Sequence, residues 1–321
     1  MKRLLLIATL PLLLAGCSSA ATGNGVHHSG VAQVAYAGSL QLLNEKNVGP
    51  AYTRATGYAY QGRAGGSLGL AQEIKSGEIS PNVFESVGAA PIRLLGPKKA
   101  SWYVSFAASP IVVAYNPNST FAPELKAIAS GRVPLAHLFA LLASPGFLLG
   151  RTNPATDPQG QAFWEMIELA GLRYHLGNSA SSRILGTPAN SSQVFQETAL
   201  DARLEAGQLD AASAFLPQAI QLKLPYIQLP AAINFGSPAL AADYAKASLT
   251  LPNGAVVHGA PLTVDITEVG KSSPAATAYI EYVLSPAGRR AFASAGYALL
   301  KPAVLGNSVP SWVRRTIDRL R

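Results

Sequence analysis

Two short glycine-serine segments, Gly38-Ser39 and Gly66-Ser67, contain the residue types that a bound oxyanion needs. Glycine lets the main chain approach a ligand closely, and a serine hydroxyl adds a hydrogen-bond donor. If each segment begins a helix, the free amides of the first turn and the helix dipole also favour an anion. The alternative is that each serine only caps its own helix, which is a common role for serine. The residues alone leave both interpretations open.

A third segment, residues 151–160, contains Asp157 followed by Pro158 and ends at Gly160. An Asp-Pro pair fits the N-cap and first position of a helix, and this structural role is sufficient to explain it. A carboxylate that faced an anion would repel it. A role for Asp157 in binding therefore requires contact with a cation or a metal centre.

The elements predicted around these segments alternate between strands and helices. The strand and helix that flank Gly38-Ser39 are predicted over residues 31–36 and 40–47, and those that flank Gly66-Ser67 over residues 52–61 and 68–75. Two consecutive strand-turn-helix units indicate a parallel α/β layer. Ligands of such folds bind at the carboxyl ends of the strands, where both glycine-serine turns are expected.

The rest of the chain continues the α/β pattern. Strands are predicted over 83–88, 101–115 with a break at Pro110, 224–229 and 255–267, and helices over 91–95, 125–130, 135–144, 161–172, 273–284 and from 285 onward. The last two helices begin at Ser273-Pro274 and Ser285-Pro286, which suit a cap and first position. The basic amphipathic tail, residues 308–321, either packs on the domain or lies on a membrane, and packing is the commoner outcome.

The N-terminus has the pattern of an export signal. Lys2 and Arg3 precede an apolar run over residues 4–15, and small residues lead to Cys17. That run is shorter than the ~20 residues that cross a bilayer. Because Cys17 is the only cysteine, the chain has no internal disulfide, CxxC pair or cysteine-rich zinc site. Residues 1–16 are therefore predicted to be a signal peptide and residues 17–30 a flexible linker.

Size and charge indicate two domains and an affinity for anions. Removing 16 residues from 321 leaves 305, which suits two domains of ~150 residues. The net charge of +8 favours anions, but the basic residues are scattered singly, which argues against nucleic acid. His27-His28 has no third ligand nearby in the sequence, so no metal site and no cofactor are expected.

An enzyme has little support in the sequence. The motifs HExxH and GxxxxGK[ST] are absent. The histidines beyond the linker, His137, His175 and His258, lie far apart in sequence. No catalytic residue is therefore predicted.

Several segments together resemble the molybdate/tungstate-binding proteins of ABC importers. They are the AGSL and AGGS turns and residues 82–86, 110–120, 151–160, 204–210, 224–227 and 285–289. The resemblance follows the chain in order over nearly all of the mature sequence. Leu14-Ala15-Gly16-Cys17 similarly resembles a bacterial lipobox, which implies lipidation at Cys17.

The resemblance implies an α/β, two-lobed periplasmic-binding-protein fold of type II-like topology, with the ligand in the interlobe cleft. We assign residues 31–113 plus 258–321 to lobe 1 and residues 114–257 to lobe 2, with crossings at Ile111–Tyr115 and Val256–Pro261. Ser39 and Ser67, with Gly38 and Gly66, would hold the oxyanion, and Asp157 would approach its metal atom beside the backbone of Pro158 and Gly160. The family's companion glutamate would fall near Ala214, where this sequence has no carboxylate.

The implied function is capture of molybdate or tungstate for import. The protein would be a monomeric, lipid-anchored component facing the periplasm or cell exterior, and it would deliver its ligand to a permease driven by a separate ATPase. Two alternatives remain at this stage. One is a binding protein for sulfate, phosphate or a small organic anion, and the other is a secreted hydrolase that uses His258 or His175.

Overall fold

The computed structural model describes residues 28–177 and 180–320, so the predicted signal peptide and Cys17 lie outside the described residues. The strands within them are β1 (Val31–Ala37), β2 (Ala59–Gly65), β3 (Val83–Val87), β4 (Trp102–Ala108), β5 (Ile111–Tyr115), β6 (Leu149–Thr152), β7 (Val194–Phe195), β8 (Ala211–Phe215), β9 (Tyr226–Ile227), β10 (Ser248–Thr250), β11 (Val256–His258), β12 (Thr263–Glu268) and β13 (Ala298–Gly306).

Helices separate most of these strands, as predicted. They are α1 (Gln41–Leu43), α2 (Gly49–Thr56), α3 (Ser67–Ser76), α4 (Ala90–Leu95), α5 (Ala122–Ala129), α6 (Ala136–Leu141), α7 (Pro158–Tyr174), α8 (Ala180–Leu185), α9 (Glu197–Glu205), α10 (Leu216–Gln221), α11 (Ala241–Tyr244), α12 (Pro274–Leu284), α13 (Pro286–Ser294) and α14 (Ser311–Asp318). A 3₁₀ turn at Gly38–Leu40 and a π-helical turn at Asn44–Val48 flank α1. Residues 38–56 therefore form one almost continuous helical segment.

Two mixed sheets form the two lobes. The first has the strand order β13-β4-β12-β3-β1-β2, and the second has the order β7-β6-β8-β5-β9. In the first sheet β1 pairs in parallel with β2 and β3, whereas β12 and β13 return antiparallel from the C-terminal part of the chain. The predicted α/β, two-lobed architecture is confirmed.

The chain crosses between the sheets twice, and the crossings lie side by side. The first comes at residues 109–110, between β4 and β5, and the second at residues 259–262, before β12. The amide of Ser109 donates to the carbonyl of Leu262 at 2.8 Å, which ties the crossings together. The predicted lobe boundary after residue 113 lies inside β5, because every residue from Ile111 to Tyr115 pairs with β8 in the second sheet. The first crossing is therefore a few residues earlier than predicted.

The strand predicted over residues 52–61 is partly wrong. The chain stays helical to Thr56 and turns at Gly57, whose φ of 75° suits glycine, before β2 begins at Ala59. Tyr52 explains the difference, because its side chain is fully buried and its hydroxyl donates to the carbonyl of Ala275 at 2.9 Å. Tertiary packing of an aromatic residue thus overrides its preference for strands.

Local helix signals are confirmed where capping residues are strong. Asp157, Ser273 and Ser285 each cap the helix that follows, with a proline at the next position. The C-terminal helix α14 packs on the first lobe through Val313 and Ile317, as predicted. Within residues 28–177 and 180–320, no helix has the length and apolar character needed to cross a membrane.

Candidate functional site

The two glycine-serine turns lie next to each other at the end of the first sheet. Ala37, the last residue of β1, is in register with Gly65, the last residue of β2. Because the strands are parallel, Gly38-Ser39 and Gly66-Ser67 leave the same edge of the sheet. Each turn leads into helical structure, at Gly38–Leu40 and at Ser67–Ser76. The structure therefore brings together the two turns that the sequence singled out.

Neither serine caps its own helix, which removes the structural alternative. The hydroxyl of Ser39 is buried and has no hydrogen-bond partner among residues 28–177 and 180–320. The hydroxyl of Ser67 accepts a hydrogen bond from the amide of Val87, on the neighbouring strand β3, at 3.2 Å. Both hydroxyls therefore keep a proton that they can donate to another group. A buried donor without a partner costs about 1–3 kcal/mol, so a hydrogen bond from Ser39 to an acceptor would be stabilising.

Asp157 meets these turns from the second lobe. Its side chain caps α7 by accepting from the amide of Gln159 at 2.8 Å. A Cβ atom placed on Gly66 would lie 3.3 Å from the Cβ of Asp157 and 2.5 Å from the carbonyl oxygen of Thr156. The amide of Gly69, in α3, also donates to that carbonyl at 2.9 Å. The lobes are therefore closed on each other at this point, and only glycine fits at position 66.

A second carboxyl group, which the sequence did not predict, comes from Glu197 at the start of α9. A Cβ atom on Gly38 would lie 2.1 Å from Glu197 Oε2, so this carboxyl group rests directly on the first turn. It accepts a hydrogen bond from the amide of Ser39. The Glu197 carboxyl group of the second lobe therefore lies against the Gly38-Ser39 turn of the first.

Burial makes these carboxyl groups unusually basic. It raises the pKa of Asp157 to about 6 and that of Asp201, in α9, to about 7. The pKa of Glu197 is raised well above its usual range by burial and then by the charges of Asp157 and Asp201. The raised pKa favours the protonated, uncharged form of Glu197, which lowers the negative charge beside the Ser39 turn.

Amide side chains hold this group of acids in place. Gln159 Nε2 donates to Gln218 at 3.2 Å and lies 3.5 Å from Glu197 Oε1, while its oxygen accepts from Ser213 at 2.6 Å. Gln218 in turn donates to Asp201 at 2.7 Å. On the other side, the hydroxyl of Tyr297 donates to the carbonyl of Ser39 at 3.0 Å. These contacts fix the position of the Ser39 turn and of the acids facing it.

The remaining predicted residues take different places. Pro158 borders a separate, larger cavity in the cleft. Gly160 is packed against its own lobe, since a Cβ there would lie 2.4 Å from the carbonyl of Thr152, and its contact with a ligand stays a prediction. Ala214 is buried in an apolar cluster of the second lobe, so no carboxylate lies there. Glu197, 17 residues earlier in the chain, supplies the second carboxyl group near Asp157 instead.

The site does not have the contacts of a hydrolase. One feature does match a hydrolase motif, because Gly65-Gly66-Ser67-Leu68-Gly69 has the pattern GxSxG at a strand-helix turn. The hydroxyl of Ser67, however, is hydrogen-bonded to the Val87 amide rather than to a histidine. His258 lies on β11, and His175 ends α7 beside a different pocket. Within residues 28–177 and 180–320, no three His, Cys, Asp or Glu side chains are grouped to hold a metal ion.

Several cavities border the contact between the lobes, and two of them adjoin residues that the sequence singled out. The smaller, of about 340 Å³, is lined by Gly38 and Ser39 together with Asp201 and Gln218. The larger, of about 670 Å³, has neither serine in its lining. The smaller cavity therefore adjoins the Ser39 turn, whereas Ser67 and Asp157 are in the lining of neither cavity.

Comparisons with known proteins agree with this geometry. A family model described as bacterial extracellular solute-binding protein matches residues 32–298. The putative ABC transporter molybdenum-binding protein of Haloferax volcanii is 32% identical over 253 residues, which cover 78% of this chain and 76% of that protein. The molybdate/tungstate-binding protein WtpA of Thermococcus kodakarensis is 24% identical and covers 99% of this chain and 98% of its own.

A solved structure supports the fold alone. The periplasmic molybdate-binding protein of Azotobacter vinelandii superposes with a TM-score of 0.56 at 17% identity, over 83% of this chain and 98% of that one. The family match and the two-sheet fold together define a two-lobed extracytoplasmic binding protein. The chain belongs to the bacterial extracellular solute-binding protein family, and it is a component of transport rather than an enzyme.

Proposed function

We propose that this protein captures molybdate or tungstate for an ABC importer, holding the oxyanion between Ser39 and Ser67 of the first lobe and the start of α7 in the second. The observation that carries the proposal is the Ser39 turn, where a buried hydroxyl has no partner while the amide beside it already binds a carboxyl oxygen. The names of the relatives from Haloferax volcanii and Thermococcus kodakarensis support this choice of anion.

The anion replaces the Glu197 oxygen on the Ser39 amide. Its oxygens then accept from the hydroxyls of Ser39 and Ser67, and the start of α7 contributes its dipole from the opposite lobe. The raised pKa of Glu197 favours its protonated form, which donates to the anion instead of repelling it. Delivery of the ligand to a permease with its own ATPase follows from this role.

Titration calorimetry with molybdate, tungstate, sulfate and phosphate tests the proposal. We expect one site per chain, with molybdate and tungstate binding more tightly than sulfate and phosphate. If sulfate, phosphate or a small organic anion bound most tightly, the protein would instead be a binding protein for that solute. Absence of binding for all four anions would refute the proposal.

Oxyanion affinity should fall as the pH rises from 6 to 8.5. The pKa values of Asp157, Asp201 and Glu197 are raised, so these groups gain protons more readily than free carboxyls do. A bound anion raises these pKa values further, so the complex holds more protons than the free protein. Oxyanion affinity therefore decreases with rising pH, by up to about ten-fold per pH unit for each proton taken up. Calorimetry in buffers of different ionisation enthalpy counts these protons. Glu197→Gln, which cannot titrate, should flatten the slope, and an affinity that rises with pH would contradict the assignment.

Asp157→Asn separates capping from contact with the metal atom. Asn caps a helix as well as Asp does, and it removes a negative charge at the cleft. Because Asp157 is already engaged by the Gln159 amide, we expect molybdate and sulfate affinities to rise together, by about ten-fold at pH 7.5. Calorimetry with both anions measures this. If molybdate binding weakened while sulfate binding strengthened, the carboxylate would contact the metal atom.

We further propose that lipid on Cys17 anchors the protein to the membrane as a monomer. The lipobox-like Leu14-Ala15-Gly16-Cys17 supports this anchor. Cys17→Ser should move the protein from the membrane fraction to the soluble fraction without changing its oxyanion affinity. Fractionation after a carbonate wash measures the change. A variant that still sediments with membranes would show that another attachment holds it.

A further inference from the structure

The larger cavity of about 670 Å³ lies in the cleft but is separate from the oxyanion site. Its walls come from α4, the second turn of α7, the crossing before β12 and the edge strand β13. Of the predicted ligand residues, only Pro158 borders it. A tetrahedral anion has five heavy atoms and fills on the order of 100 Å³, since a water molecule takes about 30 Å³. The cavity is instead within the ~300–1,000 Å³ typical of sites for organic molecules.

The cavity wall includes a carboxyl group without a partner. Glu165 lies on α7 and keeps only 3% of its surface accessible. Its Oε1 is fully buried and has no hydrogen-bond partner within the described residues. Burial raises the pKa of Glu165 to about 8, so at neutral pH it is an acid that both donates and accepts. A buried polar group in this state requires a partner that the protein itself does not provide.

The mouth of the cavity carries positively charged side chains. Arg93 and Lys301, both exposed, border it together with His258. Among residues 28–177 and 180–320, neither cation forms a salt bridge, although Arg93 hydrogen-bonds to Tyr103 and interacts with the charge of Asp265. Between the mouth and Glu165 the lining is largely apolar, with Leu68, Ala162 and Leu305. The cavity thus combines a largely apolar lining with cations at its mouth and polar side chains that include Glu165 and Thr263.

We propose that this cavity binds a second ligand, an organic anion with an apolar body and a hydrogen-bonding group. Its anionic group lies at Arg93 and Lys301, its body fills the apolar walls, and its hydrogen-bonding group contacts Glu165. The proposal goes beyond the oxyanion function and does not depend on it, because the two sites share none of the polar groups that carry either argument.

The probe 1-anilinonaphthalene-8-sulfonate has these features, with a sulfonate, aromatic rings and one N–H group. We expect its fluorescence to saturate at one probe per full-length chain. Ala303→Trp should abolish this signal, because residue 303 borders the cavity. Ala298→Trp is the matched control, since Ala298 is exposed on the same strand but does not border the cavity.

Glu165→Leu separates ligand contact from a structural role of Glu165, because probe affinity and melting temperature should change in opposite directions. Removing an unpaired buried carboxyl group should raise the melting temperature, while probe affinity falls about five- to ten-fold through loss of one hydrogen bond. The proposal is overturned if the probe shows no saturable binding at millimolar concentration, if both tryptophan variants bind it equally, or if Glu165→Leu binds it unchanged. Molybdate calorimetry on Ala303→Trp keeps the two sites distinguishable, because failure of molybdate binding in every variant refutes only the oxyanion proposal.

Discussion

Ser39→Ala should weaken molybdate binding by about ten- to hundred-fold while leaving the free protein at least as stable as before. A hydrogen bond to a charged group contributes ~1.5–3 kcal/mol, and each 1.4 kcal/mol is a ten-fold change in affinity. In the free protein the Ser39 hydroxyl is buried without a partner, so its removal costs no hydrogen bond. Calorimetry and thermal unfolding of the same variant measure the two effects.

Ser67→Ala should weaken binding to a similar degree but with a different effect on stability. The Ser67 hydroxyl accepts from the buried amide of Val87, and its removal leaves that donor unsatisfied at a cost of about 1–3 kcal/mol. The pair of variants therefore separates ligand contact, which both lose, from internal hydrogen bonding, which only Ser67 provides.

Ser109→Ala is the matched control for Ser39→Ala. Its hydroxyl is also buried without a partner among the described residues, but it follows β4, which lies three strands from β1 in the first sheet. The backbone bond from Ser109 to Leu262 is unaffected by the change. Binding equal to the native protein in Ser39→Ala, or an equal loss in Ser109→Ala, would contradict the proposed anion site.

Gly66→Ala should reduce molybdate affinity by about ten- to hundred-fold for a different reason. Its Cβ would lie 2.5 Å from the carbonyl oxygen of Thr156, a backbone atom of the opposite lobe. The lobes must then separate, at the ~1–3 kcal/mol typical of overpacking. The φ of −59° and ψ of 127° at Gly66 suit alanine, so the first lobe itself stays unstrained. Calorimetry gives the loss, and small-angle scattering with saturating molybdate should show a less compact protein.

Gly69→Ala tests whether closure is the cause. Gly69 faces the same residue of the second lobe, but its Cβ would lie 3.5 Å from the Cβ of Thr156, an ordinary contact. Gly69→Ala should therefore close and bind like the native protein. If Gly66→Ala and Gly69→Ala bound molybdate equally well, the contact between Gly66 and Thr156 would not be part of the ligand-bound state.

The part of the site that the sequence predicted depends on local signals. Gly38-Ser39 and Gly66-Ser67 follow strands whose apolar pattern is visible in the chain, and Asp157-Pro158 marks a helix start by its composition alone. Each of these features is set by a few neighbouring residues. Pairing of β1 with β2 then places the two turns side by side, as expected for a parallel sheet.

Glu197 was missed because its role depends on contacts across the cleft. In the sequence it is one acidic residue at the start of a helix, where acidic residues are common. Only closure of the lobes places its carboxyl group on Gly38 and the Ser39 amide. The lobe boundary near residue 113 was misplaced for a related reason, because the pairing of β5 with β8 joins residues about a hundred positions apart.

A crystal structure of the protein with tungstate tests the central claim most directly, because tungsten is located by its anomalous scattering. The claim predicts one strong tungsten peak between the lobes. The tungstate oxygens around it should lie within hydrogen-bonding distance of Ser39 and Ser67, and the Glu197 carboxyl should be displaced from the Ser39 amide. A peak in the larger cavity beside Glu165, or a tungsten-free cleft in which Glu197 still occupies the Ser39 amide, would contradict it.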